Sequence, residues 1–153
     1  MVIKIPPNGT YGKNFPSLLK YFMKKTNYPS YRILGKHLKA AGRPVLLLIT
    51  IGSKSRKIRY TPIAWFPDTD NSWFIIASNG GSIRHPSWFF NLAKNPDMVS
   101  IKLHGTTYHV VPETLEGNER ESIFKRIVNN APNYAKYQQL TDRFIPIIRL
   151  TAQ

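Results

Sequence analysis

Apolar positions change their period several times along the chain, and each change marks an expected element. Phe15, Leu18, Leu19, Phe22 and Met23 recur at helical spacing among Lys13, Lys20, Lys24 and Lys25, which predicts a basic amphipathic helix. A second short helix is expected from about Pro29 to Ala41, closed by Gly42. Val45 to Thr50 is an unbroken β-branched and leucine-rich run, hence a central strand, and Arg59 to Phe66 reads as its hairpin return. Asp68 to Ser72 is a further turn. The run from Trp73 to Ala77 then predicts a strand covered on both faces, which would place Ser78 inside the protein.

Pro86 suits the first turn of a helix that Asn95-Pro96 stops. Met98–Leu103 and Thr106–Val111 read as strands around the His104-Gly105 turn. Glu116–Asn130 predicts a helix burying Ile123, Phe124, Ile127 and Val128, with Glu116, Glu119 and Glu121 solvated at its start. Tyr134–Leu140 predicts another short helix, and Ile145–Leu150 a closing strand that Pro146 would keep at an edge or bulge. Six strands joined mostly by hairpins, with helices at both ends, imply an α+β protein built on an antiparallel β-barrel. At 153 residues the chain suits one structural domain, with a basic arm and helices over 1–41 and the barrel over 42–153.

Two segments carry candidate chemistry. Ile75–Gly81 joins an apolar strand to a glycine turn, where Gly80-Gly81 permits positive φ and close approach of another molecule, and Trp88 and Asn91 can share a face of the next helix. A plain strand-turn-helix connection stays open as the alternative. The turn Gly52-Ser53-Lys54-Ser55-Arg56-Lys57-Ile58-Arg59 gathers amides, hydroxyls and cations suited to phosphate or carboxylate, and an ordinary exposed basic turn stays open beside that reading. His85 before Pro86 reads as a turn residue, Trp65 and Trp73 as packing residues, and Tyr134 and Tyr137 as core or rim. His37, His104 and His109 lack ligand spacing, so no metal site is expected.

Charge changes the picture. Met1 to Pro67 holds thirteen Lys or Arg and no Asp or Glu, nearly the whole net charge of +14. Such a field calls for an anionic partner: nucleic acid, an anionic bilayer, or a phosphorylated and carboxylated cofactor. No recognised nucleic-acid signature accompanies it, so a specific nucleic-acid module is the weaker reading. The absence of cysteine excludes disulfides and is compatible with a reducing cytoplasm. No signal-peptide core or span-length apolar run is visible. A cytoplasmic protein is therefore expected, whose basic helix either packs on the barrel or lies peripherally on the inner face of the cell membrane.

Several motifs in order sharpen this. Gly42-Arg43-Pro44-Val45-Leu46-Leu47-Leu48, Gly52-x-Lys54-Ser55 with Arg59 and Pro62, Ala77-Ser78-Asn79-Gly80-Gly81, His85-Pro86-x-Trp88-x-x-Asn91-Leu92, and Pro132-x-Tyr134-x-x-Tyr137-Gln138-x-x-Thr141-Asp142-Arg143-x-Ile145-Pro146 span Gly42 to Leu150. Together they resemble the deazaflavin-dependent nitroreductase family. The resemblance implies a split β-barrel of the flavin-reductase type that binds coenzyme F-420, with Ser53, Lys54, Ser55 and Arg59 on its phosphate and acidic tail. It further implies that Tyr60, Thr61, Pro62, Ile63 and Ala64, then Ile76, Ala77, Ser78 and Asn79, then Ser87, Trp88, Phe89, Phe90 and Asn91 line the ring. Ser78 would face the reacting ring or substrate, with Tyr134 and Tyr137 closing the pocket.

The implied activity is hydride transfer from the reduced coenzyme to an electron-poor acceptor, a quinone, nitroaromatic or activated enone. Arg56 stands where the family usually has Gly, Phe89-Phe90 replaces a common Tyr-His pair, and Ala131 replaces a frequent aromatic. A related barrel using FMN, or one that carries a cofactor or lipid without turnover, stays open beside the leading reading.

Overall fold

Aliphatic runs bury backbone groups that only a neighbouring strand can satisfy. In the computed structural model, which describes residues 3–40 and 42–153, that pairing produces an eight-stranded antiparallel sheet. Strand β1 (Lys39–Ala40) leads into β2 (Arg43–Ile51), which returns as β3 (Ile58–Ala64). Then β4 (Phe66–Thr69) and β5 (Ser72–Ile76) form a second hairpin, β6 (Ser100–Leu103) and β7 (Thr106–Thr114) a third, and β8 (Ile147–Ala152) closes the chain. The order is β1-β2-β6-β7-β8-β5-β4, with β3 also on β2. Among the described residues four α-helices complete the α+β fold: α1 (Ser17–Leu34), α2 (Ser87–Lys94), α3 (Gly117–Asn130) and α4 (Asn133–Gln139).

Alternation along β5 divides the interior. Trp73 and Ile75 join Leu46, Leu48, Phe89, Leu92 and Ile101 in one core. Phe74 and Ile76 join Phe66, Leu115, Ile127, Tyr134 and Ile147 in a second core shared with α3 and α4. All five residues of β5 are buried, as a strand covered on both faces requires. Arg149 closes the second core, stacked over Phe74 and paired with Asp68 at 2.8 Å, Glu119 at 2.7 Å and Glu113 at 3.4 Å.

Three expectations require correction. The two N-terminal helices are one: α1 runs through Pro29, which removes one backbone donor without ending the helix, and stops at Gly35, whose φ of 50° an ordinary side chain disfavours. Residues 35–37 form a single tight turn, Lys39–Ala40 is a strand, and Ala41, the expected helix end, lies outside the described residues. The strand count also rises, because β1 and β4 are too short to leave a periodic signal. Finally, β8 is central, paired with both β5 and β7. Pro146 precedes it and contributes only its carbonyl, which accepts the Ala77 N–H at 3.0 Å.

The segment before α1 straps itself to the barrel. Ile3 enters the first core, Gly9 donates to the Ile83 carbonyl, and Asp142 accepts from the Thr10 N–H at 2.8 Å and the Thr10 hydroxyl at 2.6 Å.

Candidate active site

The turn between β2 and β3 is built to hold its cations outward. Gly52 donates to the Lys57 carbonyl at 2.8 Å and accepts from the Arg56 N–H at 2.9 Å. A Cβ on Gly52 would overlap Ser55 Oγ and crowd Arg59 Nε at 3.3 Å, so a larger residue would force Ser55 out of its place beside Arg59. Ser55 Oγ accepts from Arg59 Nη2 at 2.9 Å and thereby links two predicted tail-binding residues. Arg56 adopts φ 58°, the left-handed conformation for which the family pattern supplies glycine. Asn91 Oδ1 accepts the Ser53 N–H at 2.9 Å and Asn95 Nδ2 donates to the Ile51 carbonyl at 3.2 Å, bracing the turn from α2. Lys54, Arg56, Lys57 and Arg59 are exposed, and none meets a carboxylate among the described residues. Such a donor set fits a phosphate or carboxylates.

Along β3, Tyr60 stacks on Tyr28 of α1 at 4.5 Å, Thr61 and Pro62 are half-buried, Ile63 packs against the first core and Ala64 is buried. Across from it, Ile76 belongs to the second core and Ala77 to the first. Ser78 is half-buried rather than enclosed, and its hydroxyl has no protein partner among the described residues. Asn79 Nδ2 donates to the Arg84 carbonyl at 2.9 Å. The room at Gly80 and Gly81 is taken by the chain itself: a Cβ there would lie 3.0 Å from the Phe15 ring and 2.7 Å from the Tyr137 carbonyl. The expected approach of a separate molecule to these glycines is therefore corrected to packing by α4 and the arm.

Helix α2 also divides its residues differently from a shared Trp88–Asn91 face. Trp88, Phe89 and Leu92 are sunk in the first core, while Phe90 and Asn91 are half-buried and Ser87 is exposed. Phe90 lines a cavity of about 270 Å³ with Ser53, Lys94, Ala93 and the arm residues Ile3 and Ile5.

Tyr134 is 5% exposed and packs edge-on to Phe66 and to Tyr137, each at 5.5 Å. Burial, reinforced by Tyr137, pushes its phenol up to about 12, so it stays a proton donor through the neutral range. Arg43 lies close enough to oppose part of that rise and sits over Phe66 at 4.1 Å.

Behind the Ala77-Ser78 backbone, Arg143 donates to the carbonyls of Ser82 at 2.9 Å, Ala77 at 3.0 Å and Ser78 at 2.6 Å, and to His85 Nδ1 at 2.9 Å. Burial pushes the Arg143 guanidinium down to about 10. His85, expected as a turn residue, is buried and contacts the Pro6 carbonyl through Nε2 at 2.8 Å. Its pKa is held below the ordinary 6.5 by burial and then by Arg143. Since Nδ1 must accept from Arg143, the neutral tautomer carrying its proton on Nε2 fits both contacts. No helical or strand period pairs Arg143 with residues that lie 58 to 66 positions away. Among the described residues no group of three His, Asp or Glu is placed to hold a metal ion.

Residues 23–152 match a family model described as F-420H(2)-dependent quinone reductase. The chain is similar to an F-420H(2)-dependent quinone reductase of Mycobacterium tuberculosis, with 37% identity over 111 residues covering 71% of this chain and 73% of that protein. A solved F-420-H2 dependent reductase, FDR-A, is 39% identical with a TM-score of 0.62, over 71% of this chain and 94% of its own. Another solved structure, described as a domain-swapped dimer, is 33% identical with a TM-score of 0.63, over 88% and 99% of the two chains.

Proposed function

Because the chain belongs to the F-420H(2)-dependent quinone reductase family, we propose that its basic turn holds the coenzyme's anionic tail and that β3, the end of β5 and α4 position ring and acceptor. The protein is an oxidoreductase that uses the deazaflavin coenzyme to reduce a quinone-type acceptor. The observation that carries the assignment of the turn is its set of four exposed cations without a carboxylate partner among the described residues, braced by Asn91 and Asn95.

The bound coenzyme supplies a hydride, and one added proton completes the two-electron reduction of a quinone to a hydroquinone. The chain's own residues orient the partners and meet the negative charge that develops on the acceptor oxygen. The Ser78 hydroxyl can donate to that oxygen, on a backbone whose carbonyl is held by Arg143. Tyr134, protonated across the neutral range, offers a second donor, and Tyr137 flanks it.

The exposed stripe on α1 suits a membrane surface. Leu18, Leu19, Phe22 and Met23 are 45–68% exposed and lie among Lys20, Lys24 and Lys25, which supports peripheral contact with the anionic inner face of the cell membrane. No described helix is long and apolar enough to cross a membrane. Salt-sensitive flotation with anionic vesicles tests this part, and unchanged sedimentation with and without vesicles removes it.

Titration with oxidised deazaflavin coenzyme and with FMN, followed by protein fluorescence, tests the main reading. Saturable binding of the deazaflavin, weakened about tenfold or more by Lys54→Ala or Arg59→Ala, is expected for lost hydrogen bonds to charged groups. Preference for FMN overturns the assignment of the turn to the coenzyme's acidic tail.

A further inference from the structure

Four arginines draw their guanidinium groups into the fold, and three are engaged by firm acceptors. Arg143 meets three carbonyls and His85, Arg149 meets three carboxylates, and Arg120 donates to the Ile145 carbonyl at 2.7 Å and to Glu121 at 3.0 Å. Arg43 differs. Its only protein hydrogen bond among the described residues is a long one, from Nε to the Trp65 carbonyl at 3.4 Å. Neither terminal nitrogen has an acceptor among those residues, and no carboxylate lies within ion-pair distance.

That half-buried cation lies over the Phe66 ring, 4.1 Å from its centroid, and Phe66 in turn meets Tyr134, which meets Tyr137. The contact with Phe66 restrains the guanidinium while its two terminal nitrogens keep no acceptor among the described residues, and such a pair of donors can receive a carboxylate or sulfonate in two hydrogen bonds. Tyr134 packs edge-on to the same Phe66 ring at 5.5 Å and keeps a neutral phenol.

Position separates this cation from the basic turn. Arg43 begins β2 and the turn follows its end at Ile51, so eight strand steps put the two sites about 26 Å apart. The wall of β3 connects them, with Tyr60 opposite Ile49 and Ala64 opposite Val45. A charged group gripped at Lys54 and Arg59 is therefore not itself within reach of Arg43.

We propose that Arg43, with Tyr134 beside it, is an anion subsite for the acceptor, selecting ring compounds that carry a carboxylate, a sulfonate or an ionised hydroxyl. This rests on reading the α4 end of the cleft as the acceptor site. The role is one of specificity: the charged substituent is held at Arg43 while the ring remains against the aromatic row.

Equilibrium dialysis with a neutral naphthoquinone and the same ring bearing a sulfonate tests it, on protein with and without oxidised deazaflavin coenzyme. Arg43→Gln is expected to weaken the sulfonated ring about tenfold and the neutral ring less than about twofold. Arg43→Lys restores part of the difference, whereas Lys125→Gln, which removes the same charge from exposed α3, leaves both affinities unchanged. Equal loss for both rings shows that Arg43 merely packs on Phe66 and overturns the proposal. So does an Arg43→Gln result indistinguishable from Lys125→Gln, or a sulfonated ring that does not bind saturably. Arg43-dependent discrimination without deazaflavin-linked turnover supports the subsite while removing the activity assigned to the cleft, so the two readings fail separately.

Discussion

Helices α1 and α2 both lie against the sheet, α1 on β3 and α2 on β2, and both carry aromatics among polar residues, yet they are used in opposite ways. Over eight residues α2 buries Trp88, Phe89 and Leu92 and sends Asn91 to brace the basic turn. Over eighteen residues α1 buries none, and it lies against the barrel through contacts with β3 that include the Tyr28 stack on Tyr60. Aromatic content alone does not make a helix part of the framework. What decides is whether the sheet presents an apolar face to receive it, and the first core offers that face to α2.

The largest expected effect lies on the framework side. Phe89→Ala empties a fully buried ring position and should cost about 3–5 kcal/mol, read as a fall in denaturation midpoint. A loss below about 1 kcal/mol would show that α2 is not the rigid brace described.

Arg143→Met should cost about 3 kcal/mol, because it leaves the carbonyls of Ala77, Ser78 and Ser82 without this donor. Turnover should fall further than coenzyme affinity in that variant, since Ser78 loses its support while the basic turn is untouched.

The pH dependence of the same network is smaller. His85 has a folded pKa below the ordinary 6.5, so the unfolded chain takes up its proton first. Its contribution is complete above pH 6.5 and is lost as pH falls from there to the depressed folded value. Thermal midpoints of His85→Gln should therefore slope less with pH over that window than those of the wild type; parallel slopes would remove His85 from the account. Asp142, whose carboxyl is held down by its Thr10 hydrogen bond, acts in a more acidic window.

Arg56→Gly should raise stability by up to about 1 kcal/mol, since relief of the left-handed strain exceeds the entropy that glycine adds to the unfolded chain. Phe22→Ser, on the free face of α1, should change stability by less than about 0.5 kcal/mol. Binding to anionic vesicles should nevertheless fall. A large stability loss at Phe22 would mean that α1 is packed like α2 and would erase the contrast between them.

Legibility in the sequence followed the same division. The runs at Val45–Thr50 and Trp73–Ala77 are readable because nearly every position is buried and all but Thr50 are apolar. Short β1 and β4 carry too few residues for a period, and Pro29 was misleading because a helix can survive one missing donor. Within the site, the basic turn was legible as local chemistry. Burial of Trp88 and Phe89 was not, because both faces of α2 carry aromatics and spacing alone does not say which faces inward. The roles of Arg43 and Arg143 depend on Phe66, Trp65, Ala77 and Ser78, partners brought together only by the fold.

The most direct test of the central claim is an equilibrium titration of oxidised deazaflavin coenzyme against the wild type and a Lys54→Ala, Arg59→Ala double variant, with circular dichroism confirming that both are folded. The account predicts saturable binding that loses about a hundredfold or more in the double variant and weakens with added salt. Equal affinity of the two folded proteins for the coenzyme would contradict it.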